Sequence, residues 1–335
     1  IRDKLVTGVQ TCALPILTPL GEDTLLLTGF QGREEISRLF QFQLEMLSEK
    51  NDIRAKEIVG KNVTFQVKLA DGSARYFNGF VSRFVAGDED ELGRRNYRAD
   101  VVPWLWFLTQ TSDCRIFQNK TVPEIVTQIF QDLGFSDFEM KAQGAHKKWE
   151  YCVQYRETDF NFVSRLMEQE GMFYFFRHEN GKHILVISDS KSAYVDCKEK
   201  QVAFPRDTTG VAIEDHITAW EHRYEFRPGK WAQTDYNFET PSTSLMTNTP
   251  SVVKMSGMDK FEIYDYPGEY EQKSDGDGDT KLRMEEVEAA HDVVQAASVC
   301  KTFTPGGKFT ITEHKSDSEQ GKTYVVTMIQ HQARE

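Results

Sequence analysis

Through the first hundred residues hydrophobic and polar positions alternate, and after Pro103 the period lengthens. Phe40, Phe42, Leu44 and Met46 recur at every second position, as do Val63, Phe65, Val67 and Leu69, which is the pattern of strands with one buried face. Asp71-Gly72, lying between the second of these runs and Tyr76–Val81, predicts a hairpin. Gly79 in the second arm points to a bulge or a bend. A charged turn over 87–95 leads to a strand ending at Pro103, and short strands joined by short turns favour a barrel or sandwich.

Helical periodicity then takes over. Thr121-Val122-Pro123-Glu124 reads as a capping box, with apolar residues at Val122, Ile125, Val126, Ile129, Phe130 and Leu133 along one face and Gly134 as the stop. A second helix is expected from Thr158, with Asp159 at its positive end, Phe162, Val163, Leu166 and Met167 on one face, and Gly171 as its end. Asn180-Gly181 between Met172–Arg177 and His183–Ser188 is a strong hairpin signal. From about 205 the pattern is again that of strands. One strand ends at Tyr264–Gly268, a polar loop follows, a helix covers about 280–291, and KFTITEH and KTYVVTMIQH form a closing strand pair. The latter pair resembles VTFQVKL/ARYFNGFV in pattern, which suggests a duplicated unit.

These patterns predict a mainly β, α+β chain with a β domain over 17–103, an α+β domain over 104–200 and a second β domain over 201–335. Residues 1–16 break from the alternation and are expected to be a non-native leader outside the fold.

Composition narrows the functions available. With 40 Lys and Arg against 52 Asp and Glu, the net charge of −12 argues against nucleic acid as a partner, because phosphate binding needs clustered cations. No run reaches the roughly 18–20 apolar residues of a membrane-spanning helix, so stable membrane insertion is not expected. Five cysteines, an odd number without a C-x-x-C pair, read as reduced core residues.

The candidate chemistry is thin. Asp275, Asp277, Asp279 and Glu286 stand at calcium-loop spacing, but Thr280 occupies the glycine position and Pro267-Gly268 precludes an entering helix, so a solvated acidic loop is expected in place of a metal site. The eight histidines lack ligand spacing and are expected at the surface or at strand edges. Glu168 and Glu170 diverge by about 200° on a helix and cannot share a substrate as a carboxylate pair. No nucleophile elbow, Walker loop or dinucleotide fingerprint is present, and neither a cofactor nor a catalytic group is expected. Trp104, Trp106 and Phe107 are the candidates for a core or an interface. On a strand Trp104 and Trp106 would share one face, with Leu105 and Phe107 on the other.

A resemblance adds to this. TPLGEDTLLL, NGFVSRF, PWLWFLTQTSDCRIF, TVPEIV, YCVQYRETDFNFVSRLMEQEG, YDYPGEY and PGGKFTITEH, in this order from Leu17 onward, resemble the hub region of the VgrG spike proteins of bacterial type VI secretion systems, relatives of contractile-phage tail hubs. The resemblance implies two pseudo-symmetric β-barrels with the α+β domain between them. It also implies a homotrimer that connects an Hcp-type secretion tube to the puncturing needle, carrying effectors, adaptors and a tip protein through a C-terminal region. The family's spike barrel and β-helix would lie beyond Glu335. The expected location is the cytoplasm during assembly, then the extracellular space or a target cell. A cell-wall hydrolase built on the same scaffold is the alternative reading.

Overall fold

The computed structural model describes residues 14–21, 23–205 and 215–334. Its strands begin with β1 (Ile16–Leu17), β2 (Leu26–Glu35), β3 (Gln41–Ser48), β4 (Asn62–Lys68), β5 (Ala74–Glu89) and β6 (Arg95–Val102). Next come β7 (Ser112–Phe117), β8 (Phe138–Met140), β9 (Cys152–Thr158), β10 (Phe173–Glu179), β11 (Lys182–Ser188) and β12 (Val195–Ala203). Then follow β13 (Ile217–Tyr224), β14 (Lys230–Gln233), β15 (Thr247–Pro250), β16 (Glu262–Asp265) and β17 (Asp292–Ser298), and last β18 (Gly307–Glu313), β19 (Thr323–Val325) and β20 (Met328–Arg334). Four α-helices are described: α1 (Ala55–Ile58), α2 (Val122–Asp132), α3 (Asp159–Gln169) and α4 (Lys273–Glu288).

Two compact units result, with boundaries other than those expected. Described residues up to Val202 and from Cys300 onward form the first unit, and Ala203–Pro205 with His216–Val299 form the second. The end of the chain returns to the first unit because β20 pairs with β2, from Gly29↔Arg334 to Glu35↔Met328. The expected closing strand pair is therefore split: β19 pairs with β18, and β20 leaves for a different sheet. The leader boundary also shifts. Leu14 bridges Leu27, and Ile16 is buried opposite Phe65, so these residues belong to the sheet, while 1–13 lie outside the described residues.

In the first unit the principal sheet has the order β1-β4-β5-β6-β3-β2-β20. Strands β2 and β4 stand four places apart, about 19 Å on a flat sheet. Yet the rings of Phe30 on β2 and Phe65 on β4 lie 4.8 Å apart, so the sheet curls around its aromatic core. Phe42 and Phe77 complete that cluster at 5.2 Å from one another. Burying it stabilises the sheet by roughly 1.5–3 kcal/mol per side chain. Gly79 is not a bulge, since it pairs regularly with Val63 and the irregularity falls between Val81 and Arg83. It is needed for close packing, because a Cβ there would come within 2.6 Å of Val101 Cγ1.

Beside this sheet, α2 and α3 form where their periodicity predicts. Thr121 caps α2 in a capping box with Glu124, and Thr158 accepts from Asn161 N at the start of α3. Gly171 adopts φ +66°, the left-handed turn that lets the chain leave α3 for β10. The hairpin β10–β11 follows as expected, joined by β8 parallel to β11.

The second unit departs further from expectation. Strands β15-β14-β16 form a three-stranded sheet, β13 and β17 a two-stranded ribbon, and α4 packs on β14 and β15. Residues 273–279, expected as a loop, are the first two turns of α4. Gly276 makes this possible. A Cβ there would lie 2.4 Å from the Tyr270 ring, whose hydroxyl sits 2.8 Å from Leu245 O and 3.1 Å from Gln233 O and donates its one proton to that pair of carbonyls. The glycine that weakens helix propensity lets the helix approach the tyrosine.

Candidate functional site

Residues 104–110 form a 3-10 helix rather than a strand, so Trp104 and Trp106 do not share a sheet face. The preceding Pro103 and an unbroken apolar run, with no period to choose between helix and strand, allow this tight turn. Trp104 is buried against Phe135, stacked at 4.7 Å, and meets Phe130 edge-on at 5.0 Å. Trp106 and Phe107 are half-buried at the margin of this cluster, with Phe107 edge-on to Phe80 at 5.4 Å.

Trp104 also opens a hydrogen-bond chain that sequence reasoning missed. Its backbone N–H donates to His183 Nε2 at 2.9 Å, and His183 Nδ1–H therefore donates to Asn78 Oδ1 at 2.8 Å. Asn78, fully buried on β5, donates through Nδ2 to Thr64 Oγ1 at 2.8 Å and to Asn62 Oδ1 at 2.7 Å. His178 Nδ1 lies 3.1 Å from both the backbone N and the backbone O of Asn78, and its Nε2–H donates to Glu34 at 2.9 Å. Glu34 accepts in addition from His331 Nε2 at 2.8 Å and from Arg75 at 3.3 Å. Arg75 donates onward to Lys301 O at 2.7 Å and to Phe303 O.

This knot joins β2, β5, β10, β20 and the segment before β18. The histidines were expected at the surface or at strand edges; His178 and His331 do lie on the outer strands β10 and β20, but their side chains are only 3% and 11% exposed, and His183 is 1% exposed. Burial pushes the Glu34 carboxyl up, but the charge of His178 and hydrogen bonds from His178 and His331 outweigh it, holding the group well below the usual carboxylate range. Burial drives His183 well below its ordinary value, with His178 adding to the effect. His331 is also lowered by burial, against the opposing pull of Glu34. The carboxylate is committed to protein partners from three directions, so the knot fixes strands rather than offering a base to a substrate.

Two further polar clusters sit among the helices. Asp159, buried at the start of α3, accepts from Arg115, from Gln154 Nε2 at 2.7 Å and from Thr111 Oγ1 at 2.9 Å. Glu170 does not stand on an open helix face: it caps α3, bonds His146 and accepts from Trp149 Nε1 at 3.1 Å, while Asp189 meets the other His146 nitrogen at 3.1 Å. Among the described residues no group of three or more His, Cys, Asp or Glu is arranged to hold a metal ion. Asp275, Asp277, Asp279 and Glu286 all lie along α4 instead of around a loop. Of the cysteines, Cys152, Cys197 and Cys300 are buried and Cys114 is exposed.

The phage tail baseplate hub (GPD) family matches residues 33–335, nearly the whole chain. The chain belongs to that family. Among its relatives is the type VI secretion system spike protein VgrG1a of Pseudomonas aeruginosa, 41% identical over 311 residues, which cover 92% of this chain and 48% of that protein. The spike protein VgrG1c of the same organism is 39% identical over 327 residues, 97% of this chain and 44% of that protein. The hub chain thus spans about half the length of these curated relatives. Its fold is that of the Escherichia coli c3393 protein, a type VI secretion component similar in structure to the T4 phage tail proteins gp27 and gp5, with a TM-score of 0.70 at 17% identity over 95% of this chain and 73% of that one. In this chain the knot ties β2 near the start of the first unit to β20 at its end.

Proposed function

We propose that this chain is a structural hub of a type VI secretion spike, working by assembly rather than by turnover. Three copies form a ring in which two β-barrels per chain stand in pseudo-sixfold register. One end of that ring receives the Hcp-type tube protein, and the other continues into the needle, with effectors, adaptors and a tip protein carried beyond it. The hub assembles in the cytoplasm and is then translocated out of the cell. The observation that carries this reading is the family match over 33–335, together with 41% identity to a spike protein over most of the chain.

Light scattering of the 335-residue chain over a range of concentrations tests the assembly, with peptidoglycan hydrolysis assayed alongside. The expected outcome is a threefold mass at high concentration and no hydrolysis. A chain that stays monomeric throughout, or one that degrades cell wall, would overturn the hub reading.

A further inference from the structure

We propose that a cavity in the first unit binds an organic anion, an apolar body carrying one carboxylate. This goes beyond the hub reading and does not depend on it. The cavity has a volume of about 290 Å³, near the lower end of the roughly 300–1,000 Å³ of small-molecule sites. Its floor is apolar: Phe175, Phe176, Val186 and Ala193 line it, and each is buried. Lys141, Arg177 and Lys198 line it as well, with side chains 43%, 42% and 50% exposed, so they stand where the cavity meets solvent. Among the described residues that line the cavity there is no Asp or Glu, in a chain that carries 52 of them.

The cations at this mouth have donors to spare. Glu139 lies 2.9 Å from Lys141 and 2.7 Å from Arg177, and Glu179 lies 3.4 Å from Arg177 and 3.6 Å from Lys182, so three cations share two carboxylates. Of its three donors the Lys141 ammonium directs one to Glu139, and the Lys198 ammonium directs two to Asp71, at 2.6 Å, and Ser73 Oγ, at 3.0 Å. Exposed ion pairs of this kind contribute little, so a ligand carboxylate can join them without a large loss. It gains more than they do, because an apolar body seated on the floor excludes water and charges attract more strongly where water is excluded. A bare inorganic anion would leave the phenylalanine floor uncovered. An uncharged apolar molecule would leave the ammonium donors unmatched.

The wall formed by Thr302, Thr304 and Pro305 is fixed in advance. Arg75 of the knot donates to Lys301 O at 2.7 Å and to Phe303 O, which pins the segment from within the protein. Gly306 brings the chain so near the Phe175 ring that a Cβ there would lie 2.9 Å from it. A site that is already formed loses less on binding than one that must first be ordered.

Calorimetry of the 335-residue chain with sodium octanoate is the test, with octanamide and sodium acetate as controls for the charge and the apolar body. A tetrapeptide ending in two leucines, with a free or an amidated C-terminus, distinguishes a free organic acid from a polypeptide tail as the source of the carboxylate. Octanoate or the free-acid peptide should bind with a Kd below about 1 mM, and acetate and the two amides at least about tenfold more weakly. Lys141→Gln and Lys198→Gln, both at half-exposed side chains, should each weaken carboxylate binding by roughly threefold or more without changing octanamide. Ala193→Leu, which fills the floor, should weaken octanoate and octanamide alike. If that variant does not fold, the two lysine variants still decide. Carboxylates that bind no more tightly than their amides, or carboxylate binding unaltered in both lysine variants, would overturn the site and leave the hub reading standing.

Discussion

The two units solve the same problem in opposite ways. The first wraps a curled sheet around Phe30, Phe42, Phe65 and Phe77, packs α2 and α3 beside it, and ties its distant strands with a buried Glu-His-Arg knot. Among the described residues the second buries Ile217, Ala232, Leu245, Met258, Tyr270 and Met284, while exposing Tyr236, Phe238, Phe261, Tyr264 and Tyr266. Burial of apolar area is the main favourable contribution to folding. The second unit exposes more large aromatics than it buries, so a smaller share of its apolar surface contributes to its stability than in the first.

The largest effect should come from the knot. Glu34→Ala leaves Arg75 buried, charged and without its carboxylate, at a cost of about 3–5 kcal/mol. Chemical denaturation of the purified variant measures it. Were the midpoint unchanged, the knot would not be what holds β2, β5 and β20 together.

Next in size is Gly276→Ala in the second unit. The new methyl would press on a Tyr270 ring whose hydroxyl is anchored by two backbone carbonyls, so about 1–3 kcal/mol of overpacking opposes the roughly 1 kcal/mol that alanine contributes to helix propensity. Net destabilisation is expected in thermal unfolding. A stabilised variant would mean that Tyr270 swings aside freely and that the unit is looser than its hydrogen bonds imply.

Acid should act on the first unit before any carboxylate titrates. His183 and His331 are depressed below their ordinary value of 6.5 in the folded state, so the unfolded chain takes up protons first as pH falls. Their stabilisation is complete above about pH 6.5 and is lost below it, by up to about 1.4 kcal/mol per pH unit for each group. Glu34, depressed from 4.5, adds a further loss below that pH. Denaturation midpoints at pH 7 and pH 5 give the slope. Equal midpoints at the two pH values would show that the histidines titrate as in a free chain.

Most of the first unit was legible in the sequence, and its knot was not. The hairpin at Asp71-Gly72, the capping box at Thr121, the stop at Gly171 and the hairpin at Asn180-Gly181 each rest on interactions within a few residues, which is the range that local pattern records. Glu34, Arg75, His178 and His331 are brought together across 297 positions by strand pairing, and nothing local marks them. The 3-10 helix at Trp104 was missed because its apolar run has no period. The helix expected over about 280–291 is α4, but its first two turns over 273–279 were missed because Gly and Asp oppose helix propensity, and packing on Tyr270 overrides them.

The smallest predicted effect isolates burial as the variable. Lys230 and Glu262 join neighbouring strands of the second unit by an ion pair, whereas Arg75 and Glu34 join strands three places apart in the sheet of the first. Their side chains are 38% and 37% exposed, against 9% and 3% for the buried pair. Water already solvates both charges, so after Glu262→Ala the lysine stays hydrated and the loss should be about 0.2–1 kcal/mol. Salt should weaken this contribution further, since exposed charges are screened over about 8–10 Å, while the Glu34 effect should change little. Denaturation of both variants at low and high salt makes the comparison. If Glu262→Ala proved as damaging as Glu34→Ala, burial would not be what distinguishes the two pairs, and the second unit would hold itself together more firmly than its exposed aromatics imply.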